Sequence, residues 1–277
     1  MTIEDRVLRD LHRAAIAHGR RGIAVPSIDL DASATEVGGR AVAQQALKRL
    51  VQAQRVLRVR RDLLVLPDST GLIGVELADL VHAVAPRPYV VTAGAALQHA
   101  GLTDQHYFAW AVLVPRETSE VVYRGQTANF YATDQTNIWA SVDAARAGTS
   151  NTTSGFATPE RAIIDALNHP RYGMSLVQVA DALQLAVKRD RRFLSRLQTA
   201  VQHYSAGARK HSSRSAARRV GLLVEQLFGT RAAAPYRALI GENRTAILLR
   251  PGSNTSGSLD RTWRVSVNAH LDLSDES

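Results

Sequence analysis

Gln44, Gln45 and Lys48 are three side chains able to read a base pair, and they stand close together in the chain. Gln can make two hydrogen bonds to adenine in the major groove, and Lys or Arg can do the same for guanine. Arg40 and Arg49 flank them, and Arg55, Arg58, Arg60 and Arg61 follow. Between Gly39 and Pro67 there are seven basic residues and one acid, Asp62. Such a set suits a groove that is read by amides and amines while arginines hold the phosphates.

Two elements have to position these groups. Ala43, Ala46, Leu47, Leu50 and Val51 fall on one face of a 3.6-residue period, with Gln44, Gln45, Lys48 and Gln52 on the other, which predicts an amphipathic helix. After Gln54 the period changes to two. Val56, Leu57 and Val59, then Leu64 and Leu66 beyond the turn Arg60-Arg61-Asp62, predict a two-stranded ribbon with an arginine-rich tip. Ile3 to His18 reads as an earlier helix, with Ile3, Val7, Leu11 and Ala14 on one stripe. Between them, Arg20 to Gly38 reads as a long connection. Pro26, Gly38 and Gly39 interrupt it, and only a turn or two of helix is expected around Ser27–Ala34. The order helix, recognition-like helix and basic hairpin predicts a winged helix-turn-helix over residues 1–70 that binds double-stranded DNA. The same pattern also fits a solvated helix face beside a soluble turn, and winged helices serve as protein-docking modules too.

The chain has 277 residues, enough for two domains of ordinary size. It carries no cysteine, so disulfides, thiolate metal sites and cysteine nucleophiles are ruled out. No run approaches the length needed to span a bilayer, and the N-terminus has no apolar core of a signal peptide, so a cytoplasmic protein without a membrane partner is expected. A net charge of +9 favours a polyanionic partner. Residues 1–70 carry 12 basic and 8 acidic groups, residues 71–157 carry 4 and 7, and residues 158–231 carry 13 and 5. The larger basic region is therefore not the predicted winged helix.

Residues 71–277 are expected to form a mixed α/β domain, which makes the chain α+β. Val75–Val84 reads as a helix and Tyr89–Val91 as a strand, after which Thr92 caps a helix ending at Gly101. Strand signals lie at 108–115, 120–124 and 129–133, with a weaker one at Ile138–Val142, and suggest a meander or small mixed sheet. Asn151–Gly155 reads as a polar loop. Thr158-Pro159-Glu160 then starts a helix, and Ser175 and Asp190 cap two more, Leu176–Ala186 and Arg191–Tyr204. Ala216–Phe228 is a helix closed by Gly229. Ala246–Arg250 and Thr262–Asn268 are strands around a loose loop, with Trp263 in the core.

No catalytic constellation stands out. The nine histidines are scattered, and there is no phosphate-binding glycine loop and no nucleophile elbow, so no enzyme, metal or cofactor is expected. Four motifs do carry a resemblance: TAGAALQHAGLT (92–103), ATPERAIIDAL (157–167), SAARRVGLLVE (215–225) and the closing LRPGSNTSGSLDRTWRVSVN (249–268). Following a winged helix, they resemble the AbiEi family, the antitoxins of type IV toxin–antitoxin operons. That resemblance implies an N-terminal domain that represses its own operon at an operator with inverted repeats. It also implies a C-terminal domain that counters a nucleotidyltransferase toxin without forming a stable complex with it.

Glu160, Arg161 and Asp165 sit in the second of these motifs, and Arg218, Arg219 and Glu225 in the third. As antitoxin-domain candidates they could touch a partner, but the residues alone favour tying their helices to neighbouring elements. Lys188 to Arg219 holds ten basic residues and one acid. Lys188, Arg189, Arg191, Arg192 and Arg196 thus form a second basic surface, for flanking DNA, for RNA, or only for solubility. The leading expectation is an autorepressor and antitoxin. A repressor with a ligand-sensing C-terminal domain and a nucleic-acid-processing enzyme come after it.

Overall fold

The computed structural model describes residues 1–20, 22–67, 74–133, 154–207, 210–241, 245–252 and 257–269. The fold is α+β, and the chain divides into two compact units. The first is Met1–Ala85 with Glu120–Ala128; the second is Pro86–Ser119 with Asn129–Ser277.

In the first unit, α1 (Ile3–Ala17) opens with a capping box in which Thr2 accepts from Asp5 N–H and Asp5 accepts from Thr2 N–H. Its inner stripe is Val7, Leu11 and Ala15. The connection after it holds a full helix, α2 (Pro26–Val37), where the sequence suggests only a turn or two. Pro26 stands at the first helical position, where its missing N–H costs nothing and its fixed φ favours the helix. Asp29, wholly buried, accepts the Val25 N–H at 2.6 Å and the Arg20 guanidinium at 2.7 Å. Gly38 (φ 91°) ends α2 in the left-handed region, and Gly39 (φ 116°) turns the chain straight into α3 (Arg40–Gln52). The two glycines are the joint between helices rather than interruptions of one.

Ala43, Ala46, Leu47 and Leu50 of α3 are buried, as their spacing predicts. They pack with Val7, Leu11, Leu30 and Leu64 in one core. The ribbon is there, β2 (Leu57–Arg60) antiparallel to β3 (Leu63–Val65), but a short β1 (Ile23–Ala24) pairs with the other edge of β3 to give three strands. Leu63, Leu64 and Val65 are consecutively buried because β3 is central and covered, so it offers no period of two in the sequence. The unit also holds α4 (Leu77–Val84), β6 (Val121–Tyr123) and the start of β7 (Gln126–Ala132).

In the second unit, β4 (Tyr89–Thr92) lies between β5 (Ala109–Val114), antiparallel to it, and β8 (Ser154–Phe156), parallel to it. Residues 154 and 155, expected in a loop, are therefore strand; their small, polar composition conceals a three-residue edge strand. The strand expected at Ile138–Val142 lies outside the described residues. α5 (Ala93–His99) and α6 (Pro159–Asn168), with a 3₁₀ turn at Pro170–Tyr172, pack on the sheet, and α7 (Leu176–Arg189), α8 (Phe193–Gly207) and α9 (Lys210–Phe228) pack in turn on α6. Gly94 lets α5 lie against the Tyr107 ring, since a Cβ there would come within 2.2 Å of it. Two elements carry no clear sequence signal, α10 (Thr230–Arg237) and β10 (Ser258–Asp260). The latter completes a small sheet in which β11 (Val265–Val267) runs antiparallel to β10 and parallel to β9 (Ile247–Leu248). Trp263 is fully buried, and Gly221 of α9 makes room for its ring. No described helix is long and apolar enough to cross a membrane.

Candidate nucleic-acid interface

Burial of one stripe of α3 leaves the opposite stripe in solvent. Gln44, Gln45, Lys48 and Arg49 are all exposed, so the base-reading types and the core types do not compete for a face. On the ribbon, Arg58 and Arg61 are exposed at and beside the turn. A register shift between Arg58 and Arg60 twists the strand as it reaches its tip.

The other basic residues of the set have local partners. Arg40 pairs with Asp31 at 2.8 Å, Arg49 with Glu4 at 3.1 Å and Arg55 with Asp5 at 2.9 Å. The Arg55 hydrogen bond, joined by those from Thr2, holds the Asp5 carboxyl down at about 2. Arg60 grips Asp62 through two nitrogens, at 2.6 and 2.9 Å, and holds that carboxyl below its ordinary value. The sequence count of seven bases against one acid thus overstates the available charge, because Glu4, Asp5 and Asp31 come from other helices. Exposed pairs of this kind contribute little to stability, and an arginine can leave one for a phosphate at small cost.

The second basic surface is thinner than its sequence. Arg189 donates to the Gly101 carbonyl at 2.5 Å, and Arg196 bridges Glu160, at 2.7 Å, and Asp190. Lys188, Arg191 and Arg192 are exposed. Arg218 and Arg219 do not belong to the surface at all; both are buried.

Five of the six antitoxin-motif residues lie inside the second unit. Glu160, Arg161, Asp165, Arg218 and Arg219 are buried, and Glu225 is partly covered. Asp165 is the hub: it accepts from Arg161 Nε at 2.9 Å and from the Thr92 hydroxyl at 2.7 Å. Thr92, expected as a side-chain cap of α5, therefore donates across to α6 instead. The Arg161 guanidinium lies 4.5 Å over the Tyr204 ring. Arg219 donates to Leu248 O at 2.8 Å and to Asn168 Oδ1 at 2.5 Å, and burial lowers its pKa to about 10. Arg218 donates to Thr245 O at 2.7 Å. Glu225 accepts from Arg237 at 2.7 Å and from the Trp263 indole. Burial pushes Tyr172 up to about 12 and Tyr204 higher still. These side chains join α6, α8 and α9 to β4 and β9.

Among the described residues there is no cluster of three or more His, Asp or Glu that could hold a metal ion. Phe108 and Trp110, in the sequence only a strand signal, straddle the start of β5, and Phe108 stays exposed just before it.

No family model matches the chain, and no curated relative does. A solved structure is similar to it, that of the RV2827C protein from Mycobacterium tuberculosis, with a TM-score of 0.62 over 96% of this chain and 91% of that one. At 12% identity, what the two chains share is the fold.

Proposed function

We propose that the chain is a DNA-binding transcriptional autorepressor and antitoxin. In this reading the first unit is a winged helix-turn-helix. α3 is its recognition helix, entering the major groove, and the β2–β3 ribbon is its wing on the phosphates. The observation that carries the reading is the exposed row Gln44, Gln45 and Lys48 on a helix whose other face is fully committed to the core. Arg58 and Arg61 stand exposed on the adjoining ribbon. The second unit is the antitoxin, which counters a nucleotidyltransferase toxin from the same operon. Support for that half comes from the four sequence motifs, whose charged residues build the interior of the unit. The antitoxin surface is then made of side chains that these motifs position rather than of the motif residues themselves.

The experiment is a footprint of the full-length protein on the DNA upstream of its own gene, paired with growth rescue from the downstream gene expressed alone. A protected inverted repeat and restored growth are expected. A chain that protects the repeat but gives no rescue would support the second reading, a repressor that senses a small ligand. That reading draws on an open cavity of about 550 Å³ in the second unit, where Arg171 stacks on Tyr131 at 4.8 Å beside Thr118 and Ser119.

A further inference from the structure

Around the C-terminal end of α5 the second unit gathers aromatic rings at its surface, of which Phe156 also packs against the core. Phe108 is 61% exposed and meets the His106 ring edge to face, with the two ring centres 4.6 Å apart. Trp110, within β5 two residues further on, meets Phe156 at 5.6 Å. Phe156 in turn stacks face to face with the exposed His99, at 4.0 Å and 10°. The rings are held in place: the Trp110 indole donates to Tyr107 O at 3.1 Å, and Gln98 binds both Tyr107 N–H and His106. Arg189 reaches the segment that joins α5 to these rings. α7 runs beside residues 101–105, with Gln178 against Gln105 near its start and Arg189 on the Gly101 carbonyl at its end. Lys188, Arg191 and Arg192 extend the positive end, and Asp104 is the acid of the connecting segment.

We propose that this strip, from Lys188 and Arg189 across Gly101 to His99, Phe108, Trp110 and Phe156, binds single-stranded RNA. Stacked and edge-on rings offer faces to unpaired bases, while the lysine and arginines track the phosphates; together these are the two components of single-strand recognition. A duplex hides its base faces and has no use for the rings. Unpaired bases are presented chiefly by RNA loops, bulges and ends, which selects RNA over DNA as the occupant.

The test uses the full-length protein and a fluorescent oligouridine of roughly twelve nucleotides, followed by anisotropy across a salt series. Oligothymidine of the same length and a scrambled DNA duplex are the other probes. Oligouridine should bind more tightly than oligothymidine. Phe108→Ala removes a ring already in solvent, so it should leave the thermal melt unchanged and weaken oligouridine about five- to hundredfold. Lys188→Glu with Arg192→Glu should flatten the salt dependence by roughly 0.7 of a slope unit for each phosphate no longer held. The triple change Gln44→Ala, Gln45→Ala and Lys48→Ala should leave RNA binding intact, which separates this strip from the proposed operator site. Wild-type oligouridine affinity in Phe108→Ala, or an equal loss of duplex affinity in that variant, overturns the proposal. Oligothymidine bound as tightly as oligouridine overturns the assignment to RNA.

Discussion

Arg40, Arg49 and Arg55 of the first unit meet carboxylates at the surface, with about half of each arginine side chain in solvent. In the second unit Arg161 meets Asp165 with 4% and 1% of the two side chains exposed. The residue types are the same, and the energetic positions are opposite. At the surface, screening and side-chain entropy leave an ion pair nearly free to exchange. In the interior each charge has given up its water, and removing one partner strands the other. A unit that has to exchange internal partners for external phosphates needs the first arrangement. A unit whose charges hold helices to strands needs the second. The contrast makes charge accessibility, rather than charge count, the quantity that separates a binding face from a scaffold.

The largest effect that would sharpen this comparison is in the first unit. Replacing Gln44, Gln45 and Lys48 together with Ala touches only exposed positions, so the unfolding midpoint should stay where it is. A direct base contact is worth about 1–3 kcal/mol, so specific operator affinity should fall by roughly two decades or more. Arg61→Ala should cost affinity for all DNA sequences alike and lower the salt slope by about 0.9. Titration of operator and scrambled duplexes reads both. A triple variant that melts early, or that binds its operator unchanged, removes α3 from the interface.

Next in size is the interior. Asp165→Ala leaves the Arg161 guanidinium buried without its carboxylate and the Thr92 hydroxyl without its acceptor. The expected loss of stability is about 3–5 kcal/mol in urea unfolding. Arg40→Ala, which removes an equally short pair from the surface, should leave the urea midpoint within error. Equal effects from the two substitutions would collapse the distinction between exchangeable and buried charge.

Much of this division is visible in the chain itself, and the exceptions have specific causes. The buried stripe of α3 is legible because a half-buried helix must repeat every 3.6 residues. α2 is not, because Pro26 looks like a breaker although its place at the first turn makes it a starter; Asp29, three residues on and able to cap, is the available signal. β1 and β8 are two and three residues long, too short for any period to show. For the candidate site, the exposed types are visible but their neutralisation is not. Glu4 and Asp5 lie more than forty positions from Arg49 and Arg55, and only the fold brings them together. Arg218 and Arg219 fall within the basic stretch of the chain but not on its surface, because sequence records charge and not depth. The Phe108–Trp110 alternation announces a strand, yet nothing in it tells that Phe108 falls just before the sheet and stays in solvent.

The smallest effect is one of pH, and it too contrasts the units. His169 follows α6, with its ring 4.8 Å from Tyr172. Burial lowers its pKa below the ordinary 6.5; Asp165 opposes the shift, and Arg171, Arg161 and Arg219 add to it. His12 in α1 is also lowered by desolvation, with the Pro67 carbonyl opposing, but it is less deeply buried. For both, the folded state resists a proton that the unfolded chain accepts at the ordinary value. Above pH 6.5 neither state is protonated and the contribution to stability is complete. As the pH falls from there through the lower folded value, the unfolded chain binds the proton first, and that contribution disappears. Urea midpoints compared at neutral and mildly acidic pH should therefore drop on acidification, and His169→Gln should flatten the drop more than His12→Gln does. Other histidines contribute a common background, which the paired variants cancel. If the two variants keep the wild-type slope, or His12→Gln flattens it more, the buried network of the second unit is not where acid acts.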